Sequence, residues 1–392
     1  MVLSGYRFAG VACGIKKSKR RDVALIVSDR PATAAALFTT NRVKAAPVLV
    51  GMRRMKSGKL QAVVANSGNA NACTGKRGLR DAEAMCRMAA DALGIDPGLV
   101  LPSSTGIIGV PLPMDRVAAG IRRAAAELSA DGFERAAEAI MTTDRFRKTA
   151  TATCRIGGKP VRVAGMAKGA GMIAPHMATM LCYVLTDAAV QPGCLRSILR
   201  AAADDTFHCV TVDGDMSTND TLLLLANGAA GNEPVRAGTA AAAALEKSVR
   251  EVMKTLALKL VEDGEGATKV VEVRVDEARS LAAARQIAFA VARSQLVKTA
   301  FFGEDPNFGR ILAAVGYAGV PVDPDRIDVL FDGVAVVRRG VGNPAAERQA
   351  ARVLQRPRFR VRIRLRQGTA GASVWTSDLS HEYVRINSAY RT

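Results

Sequence analysis

The stretch at residues 168–182 combines flexible, small and nucleophilic residue types. Gly169 and Gly171 precede an Ala178-Thr179 step, which opens an apolar, strand-like run. Small residues let the backbone turn tightly enough for a threonine hydroxyl to attack the preceding carbonyl, so the step is typical of self-cleavage. Cleavage would leave Thr179 with a free α-amine of reference pKa about 7.7 to 8.0. The amine can take the hydroxyl proton, and one residue would serve as nucleophile and base.

A second motif offers the hydrogen-bond donors that acyl transfer requires. Residues 102–109 contain several hydroxyls followed by a glycine. The Thr105 hydroxyl and the Gly106 amide are suited to bind an oxyanion. Taken alone, these residues are more typical of an ordinary turn.

Four further polar islands interrupt apolar surroundings. Such islands are either structural turns or sites for small polar ligands. They are Asn66 to Asn71, Thr142 to Asp144, Asp213 to Asp220 and Glu262 to Thr268. The acidic island at 213–220 lacks the glycine and glutamate spacing of a calcium loop, so we interpret it as a supporting turn and expect no metal site.

Composition indicates a globular chain with an unusual charge. The 392 residues are 49% hydrophobic and carry a formal net charge of +19. Basic residues cluster at 16–21 and in a strand-like run, Arg358 to Arg366, where arginines alternate with apolar residues. We interpret this run as the solvated face of a half-buried strand, because no aromatic stacking motif accompanies the arginines, and we expect no nucleic-acid partner.

Neither a membrane span nor an export signal is indicated. The longest apolar runs fall short of the roughly 18 residues that a spanning helix needs, and the N-terminus lacks a basic segment followed by a long apolar stretch. The seven cysteines are odd in number and form no Cys-x-x-Cys pair. We therefore expect a cytoplasmic protein with reduced thiols and without zinc.

Alternating short strands and helices predict an α/β (α+β) chain. Predicted strands are 22–28, 32–39, 47–51, 61–65, 269–275, 326–338 and 358–366. Predicted helices are 81–93, 115–128, 237–261, 277–293, 308–315 and 345–354. We place a main catalytic domain at 1–275 and a smaller C-terminal α/β domain at 276–392.

The motifs together resemble one family almost from end to end. They include Gly5 to Ala12, Phe38 to Asn41, the islands above, Ser104 to Gly109, Lys168 to Leu181, Lys298 to Ala300, Asp305 to Asn307 and Asp378 to Asn387. This set is similar to the ornithine acetyltransferase, or glutamate N-acetyltransferase, family of arginine biosynthesis. The resemblance implies a layered sandwich of two stacked sheets flanked by helices, with Thr179 beginning a central strand.

The resemblance also implies an enzyme that cuts itself between Ala178 and Thr179. The products would be an α chain, 1–178, and a β chain, 179–392, which assemble as a heterotetramer of two α and two β chains. Thr179 would accept acetyl from N-acetylornithine and pass it to glutamate, without a cofactor. Use of acetyl-CoA as a further donor stays open.

Specific residue roles follow from the same resemblance. Thr105 and Gly106 correspond to the oxyanion hole. Substrate-binding positions are Thr142, Lys168, Thr179, Glu265, Asn387 and Thr392. Lys168 is suited to bind a carboxylate and Glu265 an ammonium group.

Four residues depart from the family pattern, and two other functions compete. The departures are His176, His208, Met216 and Phe308, of which Phe308 is expected to pack like the indole it replaces. The first alternative uses the same acyl chemistry: a self-processed amidase or aminopeptidase that transfers its acyl group to water. A nucleotide-binding reading rests on Gly169 to Ala174, which fits Gly-x-Gly-x-x-Ala, but Pro175 interrupts the helix that this motif needs.

Overall fold

The computed structural model describes residues 3–174 and 180–389, and it divides the chain into two compact units. The first comprises the residues up to His208 together with Asp215–Leu260, and the second comprises Cys209–Gly214 and the residues from Val261 onward. The predicted boundary at 276 falls inside a strand of the second unit, Val270–Ala278. This strand pairs with neighbours on both sides, so the second unit begins before it.

The described residues of the first unit form eight strands and six α-helices. The strands are β1 (Tyr6–Val11), β2 (Val23–Phe38), β3 (Lys59–Asn69), β4 (Val100–Ile107), β5 (Lys148–Ile156), β6 (Lys159–Lys168), β7 (Leu181–Thr186) and β8 (Thr221–Ala226). The helices are α1 (Ala46–Arg54), α2 (Gly75–Leu93), α3 (Met114–Ala126), α4 (Phe133–Ala139), α5 (Pro192–Asp204) and α6 (Ala240–Glu262).

These eight strands form one sheet with the order β4-β3-β2-β8-β7-β6-β5, and β1 also pairs with β2. β2 joins the two halves of the sheet, and its pairing with β3 is irregular between Val27 and Ala32. One apolar core contains residues of β1, β2 and β3 together with residues of β6, β7 and β8. The two halves therefore share an interior, as in a sandwich of two sheet layers.

Alternation along β2 explains how the helices pack. Ala24 and Ile26 point into the shared interior, where α4 also contributes Phe133. Val23, Leu25 and Val27 belong to a different core, formed with α2 and α3. Because successive side chains of a strand point to opposite faces, this half of the sheet is buried on both.

Up to Ala389, where the described residues end, the second unit contains six strands and five α-helices. They are β9 (Val270–Ala278), β10 (Asp328–Phe331), β11 (Val334–Arg338), β12 (Val341–Gly342), β13 (Arg358–Arg364) and β14 (Ala370–Ser377), with α7 (Leu281–Arg293), α8 (Gln295–Phe302), α9 (Phe308–Gly316), α10 (Glu347–Leu354) and α11 (His381–Ala389). The sheet order is β12-β11-β10-β13-β9-β14. The predicted fold class is confirmed, since the chain is mixed α/β with two sheets flanked by helices.

Three sequence predictions of local structure were wrong. The two strands predicted at 22–28 and 32–39 form one continuous strand, β2. Residues 47–51 form part of α1 and not a strand. A short apolar run with Pro47 does not distinguish a strand from the buried first turns of a helix, where proline is well tolerated. The single strand predicted at 326–338 is a hairpin of β10 and β11, whose Asp332-Gly333 turn has φ values of +43° and +97°.

None of the helices in the described part of the chain is both long enough and apolar enough to span a membrane.

Candidate functional site

The end of β4 carries the predicted oxyanion-binding pair. Thr105 is buried, and Gly106 follows it with a φ of +132°, a conformation that favours glycine. A Cβ on Gly106 would lie 2.4 Å from the carbonyl carbon of Gly68 in the adjacent β3. A Cβ on Gly68 would in turn lie 3.0 Å from Cγ of Lys16. The two glycines therefore allow the Lys16 loop, β3 and the end of β4 to approach closely.

Buried side-chain amides hold the strand end that carries Thr105. The Ser104 hydroxyl donates to Oδ1 of Asn66 at 2.6 Å, and Nδ2 of Asn219 donates to the Ser104 carbonyl at 2.8 Å. Nδ2 of Asn219 also donates to the Ala70 carbonyl at 2.7 Å. The polar islands that contain Asn66 and Asn219 are thus scaffolds, which satisfy buried backbone groups next to the site.

Lys168 lies beside Thr105, although 62 other residues separate them in the sequence. Lys168 is the last residue of β6, where it pairs in register with Leu181 of β7. Its ammonium donates to Oγ1 of Thr105 at 3.2 Å, and both side chains are buried. Because a hydroxyl can accept one bond and donate another, the Thr105 O–H can still donate to a ligand.

Asp144 connects Thr142 with the segment that follows Lys168. The backbone N–H of Thr142 donates to Oδ2 of Asp144 at 2.8 Å, and that of Gly169 donates to Oδ1 at 2.7 Å. The fully buried Lys148 ammonium lies 2.6 Å from Oδ1. Burial alone would raise the pKa of Asp144, but the charges of Lys148 and Lys168 outweigh it and hold that pKa well below its ordinary value. Asp144 is therefore a permanent anion at neutral pH.

A second buried carboxyl group, that of Asp220, lies next to Met180, which closely follows the predicted cleavage site. Oδ1 of Asp220, which directly precedes β8, accepts the backbone N–H of Met180 at 3.2 Å. Burial raises the pKa of Asp220 well above its ordinary value, which favours the protonated form. Sequence reasoning assigned no individual role to this residue.

A cavity of about 510 Å³ opens beside Thr142 in the first unit. Its walls carry four cations and two acids, which are Lys16, Arg20, Arg145 and Arg147 and the carboxylates of Glu134 and Glu138. Burial lowers the pKa of Lys16 to about 8, although the nearby carboxylates of Asp22 and Asp144 act to raise it. The sequence singled out Thr142 through its polar island, and Lys16 and Arg20 only as members of a basic cluster.

In the second unit, Glu265 and Asn387 contact each other as a pair. Nδ2 of Asn387 donates to Oε2 of Glu265 at 2.9 Å and to the Tyr383 carbonyl at 3.0 Å. Gly266 has a φ of +69°, and a Cβ there would lie 2.5 Å from the backbone nitrogen of Tyr383. The glycine therefore lets the loop that carries Glu265 contact α11.

Comparison with known proteins supports one family over nearly the whole chain. The ArgJ family profile matches residues 7–392. The arginine biosynthesis bifunctional protein ArgJ of Geobacter sulfurreducens is 52% identical over 393 residues, covering 100% of both chains. The protein of the same name from Symbiobacterium thermophilum is 52% identical over 391 residues, covering 99% of this chain and 97% of that protein.

This chain belongs to the ArgJ family. The crystal structure of the arginine biosynthesis bifunctional protein ArgJ from Bacillus halodurans is similar at a TM-score of 0.52 and 35% identity, covering 53% of this chain and 98% of that chain. The family resemblance inferred from the motifs is confirmed.

Several residues predicted from the ArgJ family motifs lie outside the described residues. They are Ala178 and Thr179 at the predicted cleavage site, the neighbouring His176, and Thr392. Their roles stay predictions.

The departures from the ArgJ pattern that can be located have ordinary structural contacts. Nδ1 of His208 lies 2.9 Å from Oδ1 of Asp204, one helical turn earlier. The Met216 carbonyl accepts a bond from Nδ2 of Asn41 at 3.1 Å. Phe308 packs against the core of the second unit, and a Cβ on Gly342 would lie 2.7 Å from Cζ of Phe308. Phe308 thus fills an apolar position, as an indole would.

The rival sites in this ArgJ sequence lack the expected structural context. In the described residues, the next regular element after β6 and its Gly169 to Ala174 motif is strand β7, whereas a dinucleotide site needs a helix there. No group of three or more potential metal ligands occurs among residues 3–174 and 180–389.

Proposed function

We propose that this ArgJ-family chain transfers an acetyl group from N-acetylornithine to glutamate through an acetyl-Thr179 intermediate. One observation carries the proposal: Thr105 and Lys168, which the motifs assign to a single site, are in hydrogen-bond contact at 3.2 Å. The register of β6 with β7 supports it further, because Lys168 pairs with Leu181, two residues after Thr179.

The proposed reaction has two acyl-transfer steps that share one oxyanion site. The Thr179 hydroxyl attacks the acetyl carbonyl, its proton passes through the α-amine to the leaving ornithine nitrogen, and the C–N bond breaks. The glutamate amine then attacks the acetyl ester, the C–O bond breaks, and Thr179 regains its proton. In both steps the Thr105 O–H and the Gly106 N–H donate to the oxyanion, which is where preorganised donors contribute most.

Substrate binding is proposed to use the remaining motif residues. Lys168 binds a substrate carboxylate, with Thr142 held nearby by Asp144. Glu265 and Asn387 bind an ammonium group and a neutral polar group, and Thr392 supplies a further hydrogen bond. The cut chains are proposed to assemble as two α and two β chains, with acetyl-CoA as a candidate additional donor.

Replacing Thr179 tests the cleavage and the transfer together. Thr179→Ala should stay a single chain on denaturing electrophoresis and form no N-acetylglutamate from N-acetylornithine and glutamate. Thr179→Ser is the matched control, since it keeps a hydroxyl and should retain measurable cleavage and transfer. N-terminal sequencing of the two wild-type cleavage products should show that one of them begins at Thr179.

The kinetics distinguish this proposal from its rival. An acetyl intermediate predicts ping-pong kinetics and an acetyl mass on the downstream chain. An uncut wild-type chain with full activity, or sequential kinetics without an acetylated chain, would disprove the mechanism. Release of acetate in place of N-acetylglutamate would identify the amidase alternative.

A further inference from the structure

We propose that the cavity beside Thr142 receives the side-chain carboxylate of the acceptor glutamate, and that Lys16 is the cation that recognises it. This inference rests on the proposed function, which needs an acceptor with two carboxylates. It adds a specificity-determining residue that none of the family motifs assigned.

The backbone around Lys16 is fixed by an unusual loop. The N–H groups of Cys13, Gly14, Ile15 and Lys16 all donate to the buried carboxylate of Asp22, over distances of 2.7 to 3.1 Å. Four donors on one carboxylate tie the backbone of this loop to Asp22. Lys16 is thereby set on the wall of the cavity, although it belongs to a loop.

The Lys16 side chain lies between the catalytic strand end and the cavity. Its Cγ occupies the position next to Gly68 where a side chain would otherwise lie, and Gly68 packs against Gly106. Lys16 lines the cavity together with Thr142. Its ammonium is close enough to Asp144 and Lys168 to interact with their charges. Lys16 therefore joins the oxyanion pair, the proposed carboxylate-binding lysine and the cavity into one continuous region.

The ammonium of Lys16 has donors available for a ligand. In the described residues, its hydrogen bond is to the Arg21 carbonyl at 2.6 Å, which uses one of its three N–H groups. The two acids of the cavity are already engaged, since Glu138 lies 3.2 Å from Arg21 and Glu134 lies 3.2 Å from Arg147. The Lys16 charge interacts with the nearby carboxylates of Asp22 and Asp144, and its remaining N–H groups can donate to an anionic ligand group.

The chemistry of the two substrates selects which anion this is. N-acetylornithine and glutamate both carry an α-carboxylate, for which Lys168 is proposed. They differ at the side-chain end, where ornithine has an ammonium and glutamate a carboxylate. A cation there helps only glutamate, so Lys16 acts on the second half-reaction. A volume of about 510 Å³ is ample for this group and its water.

The test compares glutamate with glutamine, its neutral isostere, as acetyl acceptors. Lys16→Met removes the charge and retains most of the side-chain length. We expect it to lower the wild-type preference for glutamate over glutamine, measured as the ratio of kcat/KM values, by roughly 10- to 100-fold, the usual effect of losing one charged hydrogen bond. Binding of N-acetylornithine, measured from the concentration dependence of single-turnover ornithine release without acceptor, should change little.

Two variants control for loss of structure. Lys16→Arg should restore most of the preference, because it keeps the charge. Lys17→Met changes the exposed neighbour, which does not line the cavity, and should match the wild type. Self-cleavage and melting temperature of each protein show whether the fold is retained.

Three results would overturn the inference. One is an unchanged glutamate to glutamine ratio in a folded, self-cleaved Lys16→Met protein. Another is a weakening of N-acetylornithine binding, in the single-turnover assay, as large as the loss of preference for glutamate. A third is a loss confined to reactions supplied with acetyl-CoA, which would assign the cavity to the phosphates of a thioester donor. Failure of the proposed function gives a different result, because the wild type would then form no N-acetylglutamate at all.

Discussion

The contact between Gly68 and Gly106 shows how the absence of a methyl group shapes this site. At Gly106 the backbone has a positive φ, and the neighbouring strand leaves no space for a side chain. The conformation matters for chemistry because it sets the direction of an N–H group that we propose to bind the oxyanion. A side chain here would displace either that N–H or β3.

We predict that Gly106→Ala reduces kcat by about 10²- to 10³-fold, the usual result of losing one oxyanion donor. The matched control is Gly109→Ala, which also has a positive φ, of +82°, but no atom within 4 Å of an added Cβ. It shares the backbone strain without the clash. Steady-state kinetics of both variants measure the difference. Equal activities would show that the close approach of Gly106 to Gly68 is unimportant for catalysis.

The motifs assigned Thr105 and Lys168 to one site, and the structure brings these two residues into contact. The motifs offered no means of locating Lys16, because a lysine in a run of basic residues is usually a solvated surface charge. What distinguishes Lys16 is its burial against Gly68, and this depends on a long-range packing of loop against strand. Sequence spacing alone carries no such information.

At the scale of elements, Asp144 fastens the loop after α4 to β5 and to the end of β6. It does so through the Lys148 ammonium and through the N–H groups of Thr142 and Gly169. A buried charge that loses its partner is costly, whereas an apolar replacement of both partners is often tolerated. The arrangement therefore makes a specific prediction about stability.

We predict that Asp144→Asn lowers the free energy of unfolding by about 3 to 5 kcal/mol at neutral pH. Adding Lys148→Met should recover part of this loss. Because the pKa of Asp144 is held below its ordinary value, its stabilising effect is present above a pH of about 4 and is lost as the pH falls further. Denaturant unfolding at pH 7 and below pH 4 measures both effects.

The control for that experiment is Asp29→Asn. Asp29 pairs with Arg7 at 2.9 Å, but both side chains are nearly half exposed, so its replacement should cost less than about 1 kcal/mol. Similar losses in the two variants would contradict the role given to Asp144.

Element prediction succeeded where a pattern was long and failed where it was short. The helical spacing at 81–93 and 115–128 anticipated α2 and α3, and the alternating arginines anticipated β13. The apolar run at 47–51 was too short to show a period, and tertiary burial made it the helix α1. The hairpin turn at Asp332-Gly333 was visible in the sequence, because this dipeptide accepts two positive φ values.

At the scale of the whole molecule, the chain carries a formal charge of +19. On its most basic strand, however, the positive charges are paired. The five arginines from Arg358 to Arg366 each lie within 3 Å of a carboxylate. The partners are Glu262, Glu272, Asp276, Glu277 and Asp328. Alternating Phe359, Val361 and Ile363 are buried on the other face of β13. This ladder of ion pairs fits the half-buried strand predicted from the sequence.

The order of strands in the first sheet has a consequence for the proposed cut. β7 and β8 would belong to the downstream chain, and both lie between strands of the upstream chain, with β2 on one side and β6 on the other. The severed chains would thus be interleaved, so separating them requires breaking two complete ladders of backbone hydrogen bonds. Dissociation and unfolding become the same event.

We therefore predict that the cut protein never dilutes into free subunits while it stays folded. Its two chains should elute together at nanomolar concentration in size-exclusion chromatography. Along a denaturant gradient they should separate only at the transition where circular dichroism reports loss of the sheet. Separation of folded chains before that transition would contradict the interleaving. A single broken peptide bond would in this way convert one polypeptide into an obligate complex of two chains, without altering the order of the strands.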